Sequence, residues 1–100
     1  MITPIKVTQN HIDQGCRHDQ TACPIARAVT EVVSLTTIVR VFSYCVTLRH
    51  SPFSTKIPTT PVSIPHSQEM RDWITAYDVE GPEAVRPTVF NVNIPEEYLA

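Results

Sequence analysis

Nine prolines and only two glycines limit where helices and strands can run in this chain. Proline fits the first turn of a helix but breaks a helix interior, and glycine favours the positive φ angles at which many helices end. Pro24 therefore marks a helix start, and Gly81 followed by Pro82 marks a helix end. Gly15 is the other expected boundary, at the C′ position of an earlier helix.

Three segments are predicted to be helical. A short helix runs from an N-cap at Thr8 to Gln14. The second helix can be capped by Asp19 or Thr21, and its apolar residues recur at i, i+3, i+4, i+7 and i+8: Ile25, Ala28, Val29, Val32 and Val33. The third is opened by Ser67 or by the Ile64–Pro65 step, and its core stripe is Met70, Trp73, Ile74 and Tyr77. Because this spacing already explains Trp73, we interpret it as a core residue.

The strands are predicted from alternating and β-branched residues. Ile5–Val7 and Thr88–Asn93 alternate, and Thr36–Arg49 is rich in β-branched and aromatic residues. The alternation in Thr36–Arg49 slips by one residue near Phe42–Cys45, which leaves two alternatives open, one bent strand or a hairpin. Residues 50–66 carry four prolines and are predicted to be an extended loop, with an optional edge strand at Phe53–Ile57.

This pattern predicts an α+β fold, in which two main helices and one short N-terminal helix pack on a small, mostly antiparallel sheet of three to five strands. The order is β-α-α-β(β)-α-β, and residues 1–100 are expected to form one domain. The N-terminus lacks the apolar core of a signal peptide, and the stretch Ile38–Leu48 is too short and too polar to cross a membrane. With an odd count of three cysteines, we expect a cytoplasmic protein with reduced thiols and no membrane association.

One cluster in the first third of the chain contains zinc-binding residue types: His11, Cys16, His18 and Cys23. Its spacing fits no standard zinc finger, and we expect two loop residues beside a capping histidine and a helix-entry cysteine rather than a metal site. Cys23 near a helix start could also pair with His11 or His18 as a nucleophile, but the sequence supplies no orienting third group. We therefore expect no enzyme activity and no cofactor, with a zinc- or thiol-dependent module around Cys16 and Cys23 as one alternative.

The charge is uneven along the chain. Residues 1–56 hold six basic and three acidic residues, net +3, whereas residues 57–100 hold two basic and seven acidic residues, net −5. The total of −2 argues against a general nucleic-acid binder. A nucleic-acid-binding regulator remains a second alternative, with Phe42, Tyr44 and Phe53 as stacking rings beside these basic residues: Arg17, Arg27, Arg40, Arg49 and His50.

Two parts of the sequence resemble a known group of proteins. The first is V-T-x-x-H-I-x-x-G at Val7–Gly15 with C-P-I-A-x-A at Cys23–Ala28. The second is Ile64–Asp78, with an Ile-Pro step and then Trp-Ile and Tyr-Asp pairs, followed by P-T-V-F-N-V. Together they are similar to a family of small uncharacterised phage and bacterial proteins, cyanobacterial ones among them. The resemblance implies a phage-type or host-interaction setting, and it transfers no catalytic residue.

The expected function is therefore that of a small non-enzymatic protein that binds a host protein and inhibits or modulates it by occupying a surface, as an anti-CRISPR-like or host-takeover inhibitor would. An edge strand near Phe53 or the final strand could also pair with a second copy in a homodimer. The candidate partner-binding residues come from the proline-rich loop, the exposed side of the third helix and the acidic end: Phe53, Lys56, Arg71, Asp72, Asp78, Glu80 and Glu83.

Overall fold

In the computed structural model, which describes residues 1–51 and 61–100, the strands form two antiparallel sheets. The first sheet pairs β1 (Ile2–Val7) with β5 (Thr88–Asn93), so that the two ends of the described chain lie side by side. The second sheet has the order β2-β3-β4, formed by Thr37–Val41, Cys45–His50 and Val62–Pro65. The predicted α+β class is confirmed, with the strands divided between two sheets.

Three α-helices accompany the sheets in the described residues: α1 (Gln9–Gln14), α2 (Pro24–Thr30) and α3 (Gln68–Glu80). As predicted, Thr8 caps α1, and its side chain and that of His11 form a reciprocal capping box. Of the two alternatives for the start of α3, the structure has the Ser67 cap. None of the helices in the described ranges is long and apolar enough to cross a membrane.

The core lies between the sheets and the helices and takes side chains from every strand except the short β4, which packs against it from the edge. Its largest fully buried members are Tyr98, Ile5, Ile12, Ile25, Leu48 and Ile94. Tyr98 belongs to a 3-10 turn at Glu96–Tyr98, and its ring stacks on His50 with centroids 4.6 Å apart. The sequence pattern gave no signal for this C-terminal turn.

Several predicted details are corrected. α2 is capped by Cys23, whose Sγ accepts from the Ala26 amide at 3.4 Å, rather than by Asp19 or Thr21. The helix also ends at Thr30, before the predicted stripe residues Val32 and Val33, and Val33 forms a bridge with Leu99.

The open choice for the middle of the chain is resolved as a hairpin, in which Val41 pairs with Val46. Part of the predicted 50–66 loop is strand β4, since Ile64 pairs with Val46 on the free side of β3. The optional strand at Phe53–Ile57 lies outside the described residues.

Gly15 is a boundary for a reason other than the expected one. Its φ is −69°, which any residue can adopt, whereas Gly81 has φ +100°. A Cβ placed on Gly15 would lie 2.6 Å from the ring of Pro24 and 2.9 Å from the carbonyl oxygen of His11. Gly15 therefore allows the close approach of α1 to the start of α2.

We predict that Gly15→Ala destabilises the protein by about 1–3 kcal/mol, the usual cost of overpacking. The allowed φ alone would predict a gain of about 0.4–1 kcal/mol, because alanine restricts the unfolded chain. Urea denaturation of Gly15→Ala and of the exposed neighbour variant Gln14→Ala separates the two effects. A Gly15→Ala protein more stable than the parent would contradict the packing explanation.

Candidate functional site

A cleft of about 250 Å³ opens between the β2–β3 hairpin and α3. Each wall carries a pair of stacked aromatic rings. Phe42 and Tyr44, at the hairpin turn, have centroids 6.4 Å apart, and Trp73 and Tyr77, one turn apart on α3, have centroids 5.8 Å apart. Concave, largely apolar surface with a few polar groups is the usual form of a binding site.

The floor of the cleft is formed by the start of α2 together with Val41 and Ile74. Cys23 lies here, half-buried, and burial raises the pKa of its thiol above the ordinary 9.0. The thiol therefore stays protonated near neutral pH, and its sulfur caps α2. This environment is the opposite of the electropositive one that activates a cysteine nucleophile.

The rim carries two carboxylates, Asp19 and Asp78. One oxygen of Asp19 accepts from the Thr21 amide at 2.9 Å, from the Thr21 hydroxyl at 3.0 Å and from the Ala22 amide at 3.1 Å. These hydrogen bonds lower the pKa of Asp19 below its ordinary 3.8, so the rim keeps this negative charge at neutral pH.

The loop that follows α1 closes one side of the cleft by binding the end of α3. Arg17 donates to the carbonyl oxygen of Asp78 at 2.6 and 3.1 Å and to that of Val79 at 2.9 Å. The amide of His18 donates to Asp78 Oδ1 at 3.2 Å. His18 has φ +59°, a left-handed conformation that a non-glycine residue adopts at an energetic cost and that often marks a functional segment.

A buried histidine holds the hairpin wall in place. His66 Nε2–H donates to the carbonyl oxygen of Phe42 at 2.8 Å, and the His66 amide donates to the carbonyl oxygen of Tyr44 at 2.9 Å. Burial is the main cause that lowers the pKa of His66 below 6.5, with Arg71 adding repulsion. The ring is therefore neutral in the folded protein at neutral pH.

Because its pKa is lower in the folded than in the unfolded chain, we predict that His66 makes the protein less stable in acid. Neutral His66 contributes its full share of the free energy of unfolding above pH 6.5, the pKa of histidine in the unfolded chain. This share is lost as the pH falls from 6.5 through the lower pKa of His66 in the folded protein. Urea denaturation between pH 7.5 and about 5 measures this slope. In His66→Gln, which keeps a donor for Phe42, the slope should be smaller than in the parent. If the free energy of unfolding falls with pH equally steeply in His66→Gln and in the parent, the pH dependence comes from other groups.

The structure separates the four residues of the suspected zinc set. His11 is buried on α1, where its Nδ1 accepts from the Thr8 amide at 3.0 Å and its Nε2 donates to Glu31 at 2.5 Å. Cys16 is exposed, and His18 and Cys23 lie at the rim and the floor of the cleft. Within the described part of the chain, no three such side chains are close enough to hold a metal ion.

The candidate partner-binding residues divide into three groups. Asp78 is at the cleft, and Phe53 and Lys56 lie outside the described residues. The others are exposed on α3 or on the 3-10 turn Pro82–Ala84 that follows it: Arg71, Asp72, Glu80 and Glu83. The cleft itself was missed from the sequence. Trp73, expected in the core, is only partly buried, and its indole N–H donates to the Arg86 carbonyl at 3.1 Å.

The residues of the suspected basic surface are only partly brought together, since Arg17 and Arg40 line one shallow pocket beside the acidic Asp19. Arg17 is bonded to α3, and Arg27 donates to the Ala22 carbonyl at 3.1 Å. Arg40 and Arg49 are exposed on β2 and β3. The aromatic rings of Phe42 and Tyr44 face the cleft beside Asp19 and Asp78 rather than these arginines.

Comparisons of this chain with known protein families, with curated proteins and with solved structures find no match.

Proposed function

We propose that this chain is a small non-enzymatic protein that binds a host protein through the aromatic cleft and modulates it by occupying part of its surface. The proposal rests on the aromatic side chains that line the two walls of the cleft. Among them, the side chain of Tyr44 at the hairpin turn is 64% exposed. Tyrosine and tryptophan supply a large share of the energy at protein interfaces. An exposed tyrosine beside a concave apolar surface suits a partner that inserts a side chain.

The chemistry of the other cleft residues favours binding over catalysis. The Cys23 thiol is protonated and serves as a helix cap. His18 Nδ1 is 3.9 Å from Asp78 Oδ2, and the imidazole is mostly exposed to solvent. A general base must be held close to the proton that it removes and in a fixed orientation, which a solvated loop histidine is not.

The acidic rim favours a protein over a nucleic acid as the partner. Asp19 and Asp78 would repel the phosphates of a nucleic acid at the place where the aromatic rings could stack on its bases. The bacterial host in this proposal comes from the expected resemblance of Val7–Gly15, Cys23–Ala28 and Ile64–Asp78 to small phage and bacterial proteins.

The test is capture of partners by the tagged protein in lysate of a bacterial host, with two matched variants. Tyr44→Ala removes an exposed apolar side chain at the cleft, and Leu35→Ala removes one that is fully exposed on a distant turn. We predict a partner that the parent and Leu35→Ala retain and that Tyr44→Ala binds at least about tenfold more weakly, the effect of truncating a tyrosine that is a hot spot of an interface. If every captured protein binds Tyr44→Ala as well as the parent, the cleft is not the binding surface.

A further inference from the structure

The cleft combines negative charge with aromatic rings. Among the described residues that line it, Asp19 and Asp78 are acidic, His18 is the only basic residue, and there is no lysine or arginine. A cation is attracted both by carboxylates and by the faces of tryptophan, tyrosine and phenylalanine rings. The two kinds of group therefore favour the same class of ligand.

Two arginines of the described residues act close to this site. After the hydrogen bonds from Thr21 and Ala22, attraction by Arg27 is a minor cause of the lowered pKa of the Asp19 carboxylate. Arg17 directs its guanidinium to the carbonyl oxygens of Asp78 and Val79, the last turn of α3. Its hydrogen bonds therefore go to the negative end of the helix dipole, and none of those found for Arg17 goes to the Asp78 carboxylate. The Asp78 carboxylate accepts from the His18 amide through Oδ1, and His18 Nδ1 lies 3.9 Å from Oδ2.

The size of the cleft limits the ligand. Pockets for drug-sized ligands usually have about 300–1,000 Å³, and this cleft has about 250 Å³. That space suits one side chain with its polar head. Since Phe42 and Tyr44 lie on the hairpin and Trp73 lies on α3, an inserted side chain can contact aromatic rings from both elements, and the buried Tyr77 stacks on Trp73.

We propose that the cleft binds one cationic side chain, an arginine or a lysine, from the partner protein, in contact with the rings of Phe42, Tyr44 and Trp73 and with its charge directed to Asp19 and Asp78. This proposal rests on the proposed function and specifies what the cleft recognises. It assigns Asp78 two tasks, since the same carboxylate positions the loop through the His18 amide.

The probes are two capped tripeptides, glycine-arginine-glycine and the same peptide with citrulline, the neutral analogue of arginine. They are titrated into the intact protein and followed by the NMR signal of the Trp73 indole N–H, which is unambiguous because the chain has a single tryptophan. We expect the arginine peptide to shift this signal in a saturable way at millimolar concentrations, and the citrulline peptide to bind about tenfold more weakly.

Asp78→Asn is the decisive variant, because asparagine removes the charge and still offers an oxygen to the His18 amide. Asp72→Asn removes the same charge from an exposed position of α3 outside the cleft. Asp78→Asn should weaken the arginine peptide several-fold, whereas Asp72→Asn should bind it like the parent. Equal binding of the two peptides, equal binding by Asp78→Asn and the parent, or no shift with either peptide at tens of millimolar would overturn the proposal.

These outcomes are separate from the test of the proposed function. If capture of the partner depends on Tyr44 but the protein binds the arginine and citrulline peptides equally well, the cleft is the binding surface and the proposal of a cationic side chain is wrong. If capture does not depend on Tyr44, the proposed function itself fails.

Discussion

The cleft depends on one loop that connects both of its walls. Arg17 bonds to the carbonyl oxygens at the end of α3, and three residues later the carbonyl of Gln20 accepts from the Val41 amide of β2 at 2.8 Å. Because these contacts lie at the two ends of a short segment, the loop fixes the separation of helix and hairpin together with His66, which bonds to the hairpin just before α3 begins. The left-handed conformation of His18 between them is part of this connection and is held by Asp78.

Features that depend on local chemistry could be predicted from the sequence. The Thr8 cap of α1, the Ser67 and Gly81 ends of α3 and the strand Thr88–Asn93 follow from capping residues and alternation alone. Features that depend on distant contacts could not. Strand β4 pairs with an edge of β3, and Tyr98 is buried in the core, where it stacks on His50.

The candidate site shows the same limit. The sequence suggests a site at histidines and cysteines that are close together along the chain, but one of them, His11, takes part in the capping of α1. The cleft instead brings together a loop, a hairpin turn and a helix that are far apart in sequence. Trp73 fits a core stripe by its spacing, and that spacing cannot reveal that the ring lies at the border of the core, where it also forms a wall.

The central claim, that the cleft is the surface bound by a partner, is tested most directly by site-specific photo-crosslinking in living bacterial host cells. A photoreactive phenylalanine analogue is placed at position 44, replacing Tyr44, or at position 35, replacing Leu35, both of which are exposed. The account predicts one discrete crosslinked species from position 44 that position 35 does not give. Equal products from both positions, or none from position 44, would contradict it.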